Sequence, residues 1–431
     1  MKIVINPIRP ALCSGSQDFH LLVRLQSEPA PGFKRTPLNL ALVIDRSGSM
    51  QGPKLREAKR CVEDLVSRMD PSDKVGLVQY DDNVDTVMPL ATVDQAGSVI
   101  QSLVQGITAG GSTNLHGGWL RAGEMLAPFA GSDSACHVIL LSDGLVNAGL
   151  TNPTRICEQV SELASAGVTT TTVGLGADFN EELMTAMAKA GQGNAHYGER
   201  AIDLAETFEA EIGLLSQLQW RGVELRINCG PNGLDMLNAY ERAGDAWRMP
   251  SVAMGSECWA LLRMPMNEAI RAQHESGTVL SIEVEATDSD GVRQTFTAKL
   301  ENLPKVDRAE YEGLLIHELV QRRITEISAA QLQLQIRQAA LNGDWMQVEQ
   351  LLSQLEALGR NEPWVAASIA FTRQLMRERD EQRMSKEMLY KSRKMQSRLS
   401  STDEVMFSMA ADFEAPAFLR RKSTEGRRTE R

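Results

Sequence analysis

The sequence predicts an α/β protein. A doubly wound, mostly parallel sheet is inserted in or followed by a small β-sandwich, with a helical region toward the C-terminus. Three observations predict this. Leu38–Ile44 is an almost uninterrupted apolar run, as a strand buried on both faces requires. Strand-like and helix-period segments then alternate over about 180 residues, the pattern of a sheet wound with crossover helices. After Trp220 the texture changes to short segments parted by turn residues.

Taken in order, Asp18–Ser27 alternates loosely and reads as a strand, and the Pro-rich stretch Glu28–Pro37 reads as a linker. Within the α/β unit, Lys54–Met69 carries Leu55, Ala58, Cys61, Val62, Leu65 and Val66 at helical spacing. Val75–Tyr80, His137–Leu141 and Val168–Leu175 read as strands; Asn114–Ala127, Pro153–Ala166 and Glu181–Ala190 read as helices, and Ala201–Leu218 as the closing helix. Beyond Trp220 the reading is strands only: Gly222–Asn228, Glu257–Arg263, Thr278–Thr287 and Gln294–Leu300, with turns such as Asp288-Ser289-Asp290-Gly291. The strand near residue 20 has no partner in the α/β unit and is expected to pair with these later strands. From Val306 onward the pattern is helical. Tyr311–Leu341 reads as one long helix, Asn342-Gly343-Asp344 as a break and new N-cap, then Trp345–Leu358 and Pro363–Glu378 as further helices. The expected division is 1–36 for the N-terminal strand or strands of the sandwich, 37–217 for the α/β domain, 218–304 for the sandwich, 305–400 for a helical hairpin or bundle, and 401–431 for a disordered tail.

The bulk composition excludes several function classes. A chain of 431 residues needs more than one core. A formal net charge of −11 argues against a nucleic-acid binder, which carries a basic excess. No stretch approaches the ~20 apolar residues of a membrane helix, and Met1–Pro10 lacks the apolar run of a signal peptide. Cys13, Cys61, Cys136, Cys157, Cys229 and Cys258 are scattered without a CxxC pair and read as reduced thiols. The expected location is cytoplasmic, with no membrane partner.

The chemistry concentrates in three loops. Asp45-Arg46-Ser47-Gly48-Ser49 follows the buried strand directly, and Gly48 is expected to let the backbone turn. A carboxylate and two hydroxyls at alternate positions converge on one pocket, and all are hard oxygen donors suited to Mg²⁺. Gly110-Gly111-Ser112-Thr113-Asn114 adds Thr113 at a loop-to-helix junction. Leu141-Ser142-Asp143-Gly144 puts Asp143 at a strand end on the edge where open α/β sheets bind ligands. Each piece also has a plainer reading: Asp45, the serines and Thr113 are good helix caps, and Asp143-Gly144 is a good turn.

Together the three pieces resemble the von Willebrand factor A (VWA) domain, a Rossmann-like fold, with an intact metal-ion-dependent adhesion site of the bacterial multidomain type. The resemblance covers roughly residues 37–215. It implies Ser47, Ser49 and Thr113 as direct ligands, with Asp45 and Asp143 holding the metal partly through water; Ser112 beside Thr113 leaves open which hydroxyl coordinates. It implies Mg²⁺, alternatively Mn²⁺ or Ca²⁺, and a protein partner that supplies a Glu or Asp carboxylate as the remaining ligand. The expected function is a divalent-metal-dependent protein-binding module, a cytoplasmic scaffold or regulatory subunit. The resemblance equally admits an accessory subunit of an AAA-type ATPase or chelatase, or of a kinase–phosphatase signalling system. The flanks look broadly like those of inter-alpha-trypsin-inhibitor heavy chains.

An enzyme is not expected. Haloacid-dehalogenase-like phosphohydrolases also begin with Asp after a buried strand, but need a carboxylic acid two residues on. Here that residue is Ser47, a poor proton donor at neutral pH. There is neither a nucleophile elbow nor a P-loop. The six histidines (His20, His116, His137, His196, His274, His317) form no ligand-spaced pair; His116, close in sequence to Thr113, reads either as facing the site or, in preference, as a helix-surface residue. Trp220, Trp247, Trp259, Trp345 and Trp364 lie outside the α/β core, and most of them read as core residues of their own domains. Arg420–Ser423 resembles a basophilic kinase site near Thr424 and Thr429, against a plain solvated tail; Met384–Met409 reads either as a partner-binding helix or as a linker.

Overall fold

The computed structural model describes residues 1–359 apart from 15–17, 29–34, 132–133, 144, 176–178, 199–207, 209–210 and 229–233. It also describes 369, 372–373, 375–377, 384–386, 388–390 and 392. Two long strands come first, β1 (Lys2–Pro7) and β2 (Asp18–Gln26), with a two-residue strand, Leu12–Cys13, between them. The α/β unit then runs β3 (Leu38–Asp45), α1 (Pro53–Ser67), β4 (Lys74–Tyr80), β5 (Val84–Thr92), α2 (Val93–Gly106), α3 (Leu115–Leu126), β6 (Ala135–Ser142), α4 (Pro153–Ser165), β7 (Val168–Leu175), α5 (Glu181–Ala190) and β8 (Gln192–Gly198).

Its sheet has the order β5-β4-β3-β6-β7-β8, parallel except for the antiparallel edge strand β5. The chain winds outward from β3 to β4 and β5, then returns past β3 to β6. The carboxyl end of β3 is therefore the point where strand order reverses, the place at which open α/β sheets generally bind ligands. Every residue of β3 and of β6 is buried. Side chains such as Leu40, Leu42 and Ile44 on one face and Ala41 and Val43 on the other feed two separate cores. Each fully buried Leu, Ile or Val contributes roughly 1.5–3 kcal/mol, an upper estimate because the unfolded chain is itself partly compact.

Three elements of this unit are absent from the sequence reading: β5, α2 and the edge strand β8. Strand β5 contains Asp85 and Pro89, which weaken a strand pattern, yet an edge strand tolerates proline because one side of its ladder is open. Helix α2 follows it without a loop and contains Gly97, so neither boundary is marked. Of the expected closing helix Ala201–Leu218, residues 208 and 211–215 are helical, and most of the rest lies outside the described residues. Leu218 starts a strand.

That strand, β9 (Leu218–Asn228), is followed by β10 (Glu257–Pro265), α6 (Met266–Ser276), β11 (Thr278–Thr287) and β12 (Arg293–Glu301). One sheet joins β1, β2 and β10, with β2 antiparallel to both neighbours. The segment before the α/β unit is thus zipped to the segment after it through nine residue pairs, Asp18–Gln26 against Glu257–Pro265. A second sheet holds β9, β11 and β12. Leu21, Leu25 and Leu261 from the first sheet share one core with Val223, Leu225, Ile282 and Val284 from the second, a sandwich arrangement. Helix α6 corrects the strand-only reading beyond Trp220. Its buried positions are Met266, Ala269 and Ala272, and two alanines give only a faint helical period.

The helical region also differs from the expected single run. Helix α7 (Arg308–Gly313) ends before α8 (Glu318–Leu341), because the His317 N–H bonds the Ile8 carbonyl at 2.9 Å instead of continuing a helical ladder. The break Asn342–Asp344 is present, with Asp344 accepting from the Gln347 N–H at 3.0 Å at the start of α9 (Trp345–Gly359). Trp220 and Trp259 are core residues, whereas Trp247 and Trp345 are half-buried; Trp364 lies outside the described residues. Met384 and Met388 are buried against α8 and α9, as core and not as a free binding face. The rest of the methionine-rich stretch, most of Pro363–Glu378 and the tail motif around Ser423 lie outside the described residues.

Candidate metal centre

Parallel pairing sets the site. Ile44 on β3 is opposite Leu141 on β6, so the next residues, Asp45 and Ser142, emerge side by side at the carboxyl edge. The Ser142 hydroxyl donates to Asp45 Oδ2 at 2.6 Å, and the Ser47 N–H donates to Asp45 Oδ1 at 2.9 Å. The Ser47 and Ser49 hydroxyl oxygens lie 3.1 Å apart. Asp45, Ser142 and Asp143 are 0% exposed and Ser47 and Thr113 are 1% exposed, while Ser49 faces solvent. The site is walled on the protein side and open at Ser49.

The plain helix-capping readings do not describe these residues. Helix α1 starts from Gly52 without a side-chain cap, and α3 is capped by Asn114, whose side chain accepts from the Gly117 N–H at 3.1 Å. Gly48 also departs from expectation. Its φ is not positive and a Cβ there would meet only ordinary contact with the Gly111 carbonyl; the left-handed conformations fall on Gly52 (φ 85°) and Gly111 (φ 68°). At Gly111 a Cβ would sit 2.8–2.9 Å from the carboxylates of Asp82 and Asp81, so glycine there permits a close approach as well as the turn.

The loop bearing Thr113 is tied down by backbone. Gly110 N–H donates to the Arg46 carbonyl at 2.8 Å, and Gly48 N–H to the Gly111 carbonyl at 3.0 Å. Asp82 accepts from the Ser112 N–H at 2.9 Å, and Asn147 accepts from the Thr113 N–H at 2.6 Å. Arg46 reaches Asp81 at 2.9 Å. Thr113 is the buried member of the Ser112–Thr113 pair. The structure thus joins Asp45, Ser47 and Ser49 by direct contacts, brings Asp143 beside them through Ser142, and anchors the Thr113 loop to the same turn by backbone bonds.

Electrostatically the site is short of positive charge. Burial pushes the Asp45 carboxyl up from its ordinary range, opposed by its bonds from Ser142 and Ser47. Burial likewise pushes the Tyr80 phenol well up, with the charge of Asp45 adding to it. Asp143 Oδ2 receives Lys54 Nζ at 3.1 Å, whereas its Oδ1 is buried with no hydrogen-bond donor among the described residues. A bare buried carboxylate oxygen is costly, and a cation is the partner that suits it. Two carboxylates and three hydroxyls form a hard-oxygen set that fits an ion of the Mg²⁺ type. Among the described residues no three His, Cys, Asp or Glu side chains gather as metal ligands, so a centre here depends on its hydroxyls.

Sequence reading had named Ser142 only as part of a run and had missed Lys54, Asp81, Asp82 and Asn147 as contributors. Asp81 and Asp82 follow a strand on the binding edge, a signal that was present. His116 is buried, not a helix-surface residue, and its Nε2 lies 2.6 Å from Gln159 Oε1. His137 and His196, far apart in sequence, approach different oxygens of Glu211 at 3.9 and 3.6 Å.

Fold and site together define a doubly wound α/β domain with a hydroxyl-rich ligand site at its switch point. Residues 39–210 match the von Willebrand factor type A domain, and the chain carries a domain of that fold. An uncharacterized protein of Synechocystis is 25% identical over 329 residues, 71% of this chain and 77% of the relative. The inter-alpha-trypsin inhibitor heavy chain H4 of Bos taurus is 28% identical over 159 residues, 35% of this chain but only 17% of that protein. That match is shorter than the α/β unit and carries nothing about the flanks. The solved structure of a von Willebrand factor type A protein from Catenulispora acidiphila superposes with a TM-score of 0.67 at 16% identity, covering 87% of this chain and 89% of that one. It supports the fold across the flanking regions as well as the α/β unit.

Proposed function

We propose that this protein is a divalent-metal-dependent protein-binding module whose site takes an acidic side chain of its partner. VWA domains are in general protein–protein interaction modules and typically bind a divalent metal, which supports this reading. The observation that carries the finer reading is the buried, donorless Oδ1 of Asp143 beside the Asp45–Ser47–Ser49 cluster. Ser47, Ser49, Thr113, Asp45 and Asp143 would hold the ion, Mg²⁺ being the first choice and Mn²⁺ or Ca²⁺ the alternatives. When bound, the ion supplies a hard positive centre with a position open to an incoming carboxylate. The chain's own residues set the direction of approach: four of the five are buried, and solvent meets the site at Ser49. Leu145, 43% exposed and two residues beyond Asp143, offers an apolar edge that strengthens a charged contact by excluding water.

On this reading the protein binds and does not catalyse, because position 47 supplies a hydroxyl where a general acid would be required. A cytoplasmic scaffold or regulatory subunit is the proposed setting. Its support is that all five described cysteines are free thiols. No helix among the described residues is long and apolar enough to cross a membrane. The test is calorimetric titration of the full chain with Mg²⁺ and Mn²⁺, beside Asp45→Ala and Ser47→Ala. Partner capture from the native host follows, with and without chelator. The expected result is metal binding by the wild type alone, and partners lost on chelation and in both variants. Equal capture in all samples would reject the metal-bridged reading.

A further inference from the structure

We infer that Lys54 is the resident counter-ion of the metal-free site and competes with the divalent ion for Asp143. The inference rests on the metal-binding reading above and adds how strongly, and in exchange for what, the ion is held. Lys54 is the second residue of α1, after Pro53. The amino end of a helix carries partial positive charge, so a lysine there is electrostatically misplaced unless an anion compensates it. The compensation is Asp143, whose Oδ2 lies 3.1 Å from Lys54 Nζ and whose side chain is 0% exposed. Arg46, the other cation at this edge, is already engaged with Asp81 at 2.9 Å. Among the described residues, Lys54 is the cation in ion-pair contact with a carboxylate of the site.

The consequences follow from charge. Without an ion, the ammonium offsets a carboxylate that would otherwise be buried beside Asp45 with no cation. A divalent ion drawn to the same carboxylate repels the ammonium and removes its counter-charge. Lys54 then withdraws on its flexible four-carbon stem, and its 22% exposed side chain already borders solvent. Ion binding and release of Lys54 are one exchange. The lysine weakens ion affinity while keeping the ion-free site intact.

The experiment titrates Mg²⁺ and Mn²⁺ into full-length wild type, Lys54→Gln and Lys54→Arg, and records thermal unfolding without ion and at saturation. Lys54→Gln should bind roughly tenfold more tightly, within the usual range of coupling between two sites. It should unfold at lower temperature than wild type without ion, and that deficit should close at saturation. Lys54→Arg should stay near wild type. In unmodified protein, the rate of amine labelling at Lys54, read by mass spectrometry, should rise several-fold on adding Mg²⁺. This readout does not depend on any variant folding. Wild type that binds the ion with no change in labelling, or Lys54→Gln that binds equally or less tightly, overturns the inference and leaves the metal site standing. If neither wild type nor Lys54→Gln binds either ion, the metal reading falls and takes the inference with it. Binding by Lys54→Gln alone would show competition at its strongest.

Discussion

Ser142→Ala isolates the support beneath the site, because it removes one hydroxyl and almost no volume. The Ser142 hydroxyl donates to Asp45 Oδ2 at 2.6 Å, and both residues are 0% exposed. A hydrogen bond to a buried charged group contributes about 1.5–3 kcal/mol, so the α/β unit should lose about 2 kcal/mol in its unfolding transition without ion. Removing a group that orients a metal-holding carboxylate typically weakens metal binding about 10–100-fold. The pH dependence has a definite sign. Ser142 opposes the upward push of burial on Asp45, so the substitution drives that carboxyl further up. A raised carboxyl destabilises the fold once it must ionise. The defect should therefore grow as pH rises through the Asp45 titration and shrink in acid, where the group is protonated whether folded or not. Urea unfolding at several pH values and calorimetric titration with Mg²⁺ measure both effects. A midpoint shift worth under about 0.5 kcal/mol together with unchanged ion affinity would refute the argued role of Ser142.

Three further outcomes are expected. Asp73 is 0% exposed and accepts from Arg35 at 2.7 and 2.6 Å, from the Leu38 N–H at 2.9 Å and from the Asp70 N–H at 3.0 Å. Asp73→Ala should cost about 3 kcal/mol by urea unfolding, the low end for a broken buried pair because Arg35 is 33% exposed; a loss under about 1 kcal/mol would contradict this. Gly118→Ala should destabilise the domain by about 1–3 kcal/mol although alanine favours helix, because its Cβ would stand 2.4 Å from Cδ1 of the buried Tyr80 ring; a raised melting temperature would be the contrary result. Burial holds the His20 imidazole below its ordinary value, so its contribution to stability is complete above that value and is lost as pH falls through it toward the folded value. His20→Gln should flatten the decline of stability below neutrality, and an unaltered pH profile would show that His20 does not drive it.

Much of the site was legible because its chemistry is local. Asp45, Ser47 and Ser49 lie within five residues directly after an apolar strand, and Asp143 follows a second one, so order and spacing name the candidates before any coordinates exist. Contributors from a distance were less visible. Lys54 reaches Asp143 from 89 positions away, and Asn147 holds Thr113 from 34 positions away. The helix-cap readings of Asp45 and Thr113 are equally good locally, and only the folded chain assigns the caps to Gly52 and Asn114.

By itself the sequence determined the fold class, through the apolar run of β3 and the alternation around it, since binary patterning is a property of neighbours along the chain. It also determined which oxygen-bearing residues end the central strands. That the strand near residue 20 pairs with a strand beyond the α/β unit was legible from its missing partner, but tertiary structure alone decided its register against Glu257–Pro265, and that the helical run would break at His317 to meet Ile8. It decided as well that the carbonyl edge of β3 would meet that of β6, because parallel register is set by packing on both faces of the sheet and not by either strand alone.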